Sequence, residues 1–124
     1  MNPHYPKSQS KLIHNILLNI GMPPNLLGYE YTTYAIALIL SNPEYIHHLT
    51  KGLYIEIASK YLTTPARVER AIRHSITVAW TQKNLSVIEH IFKNSLNPHK
   101  GAPSNSHFLA GIYYYLVLNQ PEQA

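Results

Sequence analysis

The sequence predicts an all-α domain of six or seven helices, and three observations carry that reading. Apolar residues recur at three- and four-residue spacing in segment after segment, and nowhere alternate with the period of two that a half-buried strand requires. The gaps between segments hold helix punctuation: Gly21 with Pro23-Pro24, Asn42-Pro43, Thr64-Pro65 and Ser104. Hydrophobic residues make up 45% of 124 positions, enough to build one core, and with no Cys that core cannot lean on disulfides or thiolate metal sites.

Residues 1–9 read as a polar tail, and 10–124 as a single domain without repeats or linker. From Ser10, Leu12, Ile13, Ile16, Leu17 and Ile20 keep helical spacing until Gly21 stops the helix. Gly28–Asn42 is rich in Tyr, Ala, Ile and Leu and reads as a helix buried on most sides, ended by Asn42-Pro43. A short helix is expected over Glu44–Thr50, then another over Leu53–Tyr61 with Leu53, Ile57 and Tyr61 on one face. Thr64 is an N-cap with Pro65 at the first helical position, opening a helix to about Gln82. Asn84 or Ser86 opens the next, with Ser86 and Glu89 as a capping box and an end near Lys93. Asn94–Pro103 is a loop, and Ser104 caps a last helix through about Leu118.

Composition excludes several classes of function. There is no Asp, so these residues hold no aspartyl-phosphate acceptor, Asp-based triad or EF-hand loop, and carboxylate chemistry falls to six Glu. The longest apolar runs, Tyr34–Leu40 and Ile112–Leu118, are seven residues each, too short to span a membrane. The first ten residues contain no signal-peptide core, so a cytoplasmic, nucleoid-associated protein is expected. Eight His include no HExxH and no standard zinc spacing, so no metal or other cofactor is expected. No catalytic constellation is legible, and an enzyme is not expected. Tyr113-Tyr114-Tyr115 lie on an apolar helix and read as core or dimer contacts before base-stacking groups. A net charge of +4 permits a nucleic-acid or anionic partner.

The chemistry concentrates in one helix. The chain has three arginines, Arg67, Arg70 and Arg73, all within seven residues. At about 100° per residue, Val68, Ala71, Ile72, Ser75, Ile76 and Ala79 share one side, while Arg67, Arg70, Arg73, His74 and Thr77 share the other. The arginine fork matches guanine O6/N7 or phosphate oxygens in two-point contacts. The plainer reading is a solvated face, with Glu69 and Arg73 spaced for a surface ion pair. Context favours recognition: Ala58 supplies the small residue a close helix crossing needs, a short break follows, and an N-capped helix then carries cations in its first turns. This is a helix-turn-helix over about 53–82, with Leu62 where Gly is common in the turn.

The segment Arg67-Val68-Glu69-Arg70-Ala71-Ile72-Arg73-His74, followed by Val78-Ala79-Trp80, resembles the recognition-helix signature of the DNA-binding effector domains of sporulation master response regulators. Ile20-Gly21-x-Pro23, Gly28-Tyr29, Leu53-Tyr54, Thr63-Thr64 and Pro103-Ser104-Asn105-Ser106 with Phe108 agree in order and spacing. The resemblance covers about residues 10–118. It implies double-stranded DNA as partner, read at short TGTCGAA-like boxes. Arg67, Glu69, Arg70 and Arg73 become the base readers. Thr64 and His74, with Lys51, Lys60, Lys83 and Lys100, become the backbone contacts. It further implies pairing of two copies on tandem boxes, and a contact with the RNA polymerase sigma factor through about Leu85–Lys100, with Glu89, Phe92 and Lys93 facing that partner.

The departures from the family pattern leave the DNA-reading residues in place. Ile55 replaces a Pro, Gln82 and Lys83 replace basic and Gly residues, and Ala102 stands in the final loop. The segment around Phe92–Asn97 matches poorly, and the family's phosphoacceptor receiver domain is expected to be missing. The expected function is therefore a sequence-specific regulator that works without phosphoryl transfer, as competitor or repressor. The alternative is a protein-interaction module that pairs with a longer regulator or with RNA polymerase and does not read DNA itself.

Overall fold

The computed structural model describes residues 7–82, 84–97 and 100–119. Among these residues six α-helices and no strand occur: α1 (Lys7–Ile20), α2 (Leu27–Ser41), α3 (Tyr54–Tyr61), α4 (Pro65–Thr81), α5 (Leu85–Phe92) and α6 (Asn105–Leu118). The all-α expectation holds. α1 begins at Lys7, inside the stretch read as a tail; positions 1–6 of that stretch lie outside the described residues. None of the described helices is long and apolar enough to cross a membrane.

α2 is the axis of the fold. Gly28, Tyr29 and every residue from Tyr31 to Ile39 are buried, because α4 covers one side while α1, α6 and α3 cover the others. α1 is stopped as expected: Gly21 takes φ +111°, and the Met22 N–H donates to the Leu17 carbonyl at 3.0 Å. Between α2 and α3 the single helix expected over Glu44–Thr50 is replaced by two short turns, a tight 3-10 segment at Pro43–His47 and a wider π turn at Leu49–Leu53. Asn42 Oδ1 accepts the Glu44 N–H at 3.2 Å and Pro43 takes the first position, which starts the tight turn. The Leu53 N–H then reaches back five residues to the His48 carbonyl at 2.9 Å and delivers the chain directly into α3.

α5 and α6 close the other side of the domain. The capping box expected at Ser86 and Glu89 does not form. Asn84 is the cap, accepting the Val87 N–H at 3.4 Å, and the Ser86 hydroxyl donates to that same Oδ1 at 3.1 Å. Ser104 caps α6 as expected, accepting the His107 N–H at 3.1 Å. Trp80, Phe92 and Phe108 meet where α4, α5 and α6 converge, with ring centroids 5.7–6.0 Å apart. Phe92 is therefore a core residue at 3% exposure, and the expectation that it faces a partner is corrected. The cause is Gly111 on α6, where a Cβ would overlap the Phe92 ring; without one, α6 comes down onto α5 and covers that ring.

The tightest approach in the fold is between α2 and α4. Gly28 lies against the Ala71 carbonyl and Ser75 Oγ, and a Cβ built there would overlap both. Because one partner is backbone, a side chain at position 28 must push the helices apart. Gly28→Ala is expected to cost about 1–3 kcal/mol by overpacking. Urea unfolding tests this through a lower midpoint at unchanged slope.

Candidate nucleic-acid interface

α4 divides along its length into a buried and an open face. Val68, Ile72, Ser75, Ile76 and Ala79 are fully buried, and Trp80 is 6% exposed near the helix end. Arg67, Arg70, Arg73, His74 and Thr77 are exposed on the opposite side. The structure thus brings the three arginines together as their spacing required. Ala71, assigned to the inner side, is only half buried.

The start of α4 is set by Thr64, whose hydroxyl oxygen accepts the Arg67 N–H at 3.3 Å, with Pro65 at the first helical position. No acidic residue occupies the first turn, so the positive end of the helix dipole adds to the arginine face. The preceding turn, 62–64, depends on Leu62 in the left-handed region at φ 55°, ψ 51°, with the Thr63 N–H returning to the Ala58 carbonyl at 3.0 Å. That geometry explains why Gly is common at this point of such turns. The Leu62 side chain is 93% exposed.

Glu69 and Arg73 form the surface ion pair expected from their spacing, with side chains 36% and 54% exposed. An exposed pair of this type is worth about 0.3–0.5 kcal/mol, so releasing Arg73 from it costs little. The same pair neutralises Glu69 in the free protein.

The other sequence-assigned cations among the described residues stand on other segments. Lys51 is exposed in the π turn ahead of α3, and Lys100 is exposed in the segment before α6. The Lys60 ammonium lies 5.1 and 5.3 Å from the ring centroids of Tyr34 and Tyr61. There it lines a cleft of about 590 Å³ shared with His14, Tyr29 and Glu30. Lys83 lies outside the described residues. Glu89 and Lys93 stay exposed along α5 and at its end, whereas Phe92 does not.

Sequence reasoning missed one residue that reaches the reading helix. Asn105, the first residue of α6, is 7% exposed. Its Nδ2 donates to the Tyr54 hydroxyl on α3 at 3.0 Å and to the Glu69 carbonyl on α4 at 3.1 Å. Burial raises the Tyr54 hydroxyl above the usual tyrosine range, so it stays neutral and able to accept. An amide immediately after a Ser cap was the available signal, but nothing in the sequence pairs it with residues on α3 and α4.

A short helix, a three-residue turn and an N-capped helix that buries one face and offers three arginines on the other define a helix-turn-helix DNA-binding domain. The family model described as Sporulation initiation factor Spo0A C terminal matches residues 13–116. The chain belongs to that family, and its six-helix body is the DNA-binding effector domain of a sporulation transcription regulator.

Leu62→Gly relieves the left-handed strain, worth about 1–2 kcal/mol, at an entropic cost of about 0.5–1 kcal/mol. A small net rise in stability with unchanged DNA affinity is expected, read as melting temperature beside a duplex titration. A fall in melting temperature would mean that the exposed Leu62 side chain stabilises the turn.

Proposed function

We propose that this chain reads short TGTCGAA-like boxes in the major groove through Arg67, Glu69, Arg70 and Arg73, with Thr64, His74, Lys51, Lys60, Lys83 and Lys100 along the phosphates. The observation that carries the reading is the open face of α4, where three arginines project from a helix whose other face is locked in the core. Arginine pairs with guanine, and Glu69 accepts from cytosine N4, so the set matches a box containing a C·G step. Glu89 and Lys93 are assigned to a sigma-factor contact. The groove between α5 and α6, of about 380 Å³ and flanked by the exposed Tyr114 and Leu118, supports pairing of two copies on tandem boxes.

None of the 124 residues is Asp, so box occupancy by these residues does not wait on phosphoaspartate formation. A box they occupy is closed to any other regulator of the same specificity. Competition or repression is therefore the regulatory outcome we assign. In vitro transcription from a promoter bearing such boxes tests it, and strong activation by this chain alone would contradict the competitor role.

Two substitutions separate base reading from backbone contact. Arg70→Ala should lose about 1–3 kcal/mol on the box and relax preference at one base pair. An unchanged titration at fixed salt would remove Arg70 from the readers. Lys51→Ala should weaken all duplexes alike and reduce the slope of log affinity against log salt by about 1. A slope equal to wild type would take Lys51 off the phosphates.

A further inference from the structure

The last helix reaches the middle of the arginine face through a single amide. Asn105 opens α6 from a nine-tenths buried position and spends its Nδ2 on the Tyr54 hydroxyl and the Glu69 carbonyl, at 3.0 and 3.1 Å. A backbone carbonyl only accepts, so Glu69 fixes which end of the amide faces α4, and both N–H groups are then used. The Oδ1 is left buried with no protein partner among the described residues. An unpaired buried carbonyl costs free energy that an apolar side chain of similar volume avoids. Packing alone therefore does not call for an amide here. What the amide supplies is position: Glu69 lies between Arg67 and Arg73, and a bond to its carbonyl sets the roll and height of α4 against α3 and α6.

We propose that Asn105 is a positioning residue for base reading, holding α4 in the roll that aims Arg70 and the Glu69–Arg73 pair at base edges. The inference rests on the reading of α4 as the base-reading helix. It predicts that losing the amide degrades discrimination between duplexes far more than affinity for duplex as such, because the four lysines assigned to the phosphates, Lys51, Lys60, Lys83 and Lys100, stand outside α4. A residue that served stability alone would lower both affinities together.

The test uses the whole chain and two variants. Asn105→Leu keeps the branching and number of side-chain heavy atoms and removes both bonds, while Tyr54→Phe removes one partner and leaves the bond to Glu69. Each protein is titrated at one salt concentration against a TGTCGAA duplex and a scrambled duplex of equal composition, beside its urea midpoint. Asn105→Leu should lose about tenfold on the box, the scale of one misaligned base contact, and about twofold or less on the scrambled duplex. Tyr54→Phe should keep most of the discrimination. If Asn105→Leu does not fold cooperatively, Asn105→Ser, a smaller residue at the same helix position, carries the same comparison. Equal losses on both duplexes, or an unchanged box affinity, would overturn the positioning role. A wild-type chain that binds both duplexes equally would overturn base reading itself, a failure visible before any substitution is made.

Discussion

The structure depends on the crossing of α2 and α4 at Gly28. There the backbone of the central helix touches Ala71 and Ser75 with no side chain between. This close seat allows Val68, Ile72, Ile76 and Ala79 to be buried completely. Once those residues are down, the phase of the helix is decided. Residues at three-residue spacing drift by about 60° per step, so Arg67, Arg70 and Arg73 sweep about 120° of the far side and all remain in solvent. The arginine face is the geometric complement of the packed one.

Three further restraints act on α4 at successive heights. The Thr64 cap and the left-handed Leu62 set where it begins. Asn105 ties its second turn to α3 and α6. Trp80, wedged against Phe92 and Phe108, fastens its end. A helix held at three heights has little backbone freedom left to lose when it binds a partner. The arginine side chains themselves are exposed to solvent, and the Glu69–Arg73 pair is of the weak surface kind.

The sequence made the helices legible because each carries its own punctuation. Thr64-Pro65, Ser104 and Gly21 act through local backbone chemistry, and all three perform as read. The arginine face was legible for the same reason, since phase along one helix needs no tertiary information. Elsewhere local signals competed. Asn84 stood two residues ahead of Ser86, and the earlier acceptor took the cap. Asn42-Pro43 announced a stop but not the 3-10 and π turns that follow it. Phe92 was misplaced because its burial is decided by Gly111, nineteen positions on, where the missing Cβ admits α6. Asn105 was invisible as a tether because its partners lie 36 and 51 residues away.

The central claim is that α4 is the surface that meets DNA. Backbone amide chemical shifts of the labelled chain, followed during titration with a duplex carrying one TGTCGAA box, address it most directly. The account predicts that the largest changes fall on residues 64–77, centred on Arg67, Arg70 and Arg73, with small changes along α1 and within the α5–α6 groove. Changes confined to α5 and α6 with α4 unmoved would contradict it, and would make this domain a protein-interaction module whose arginine face is only a solvated surface.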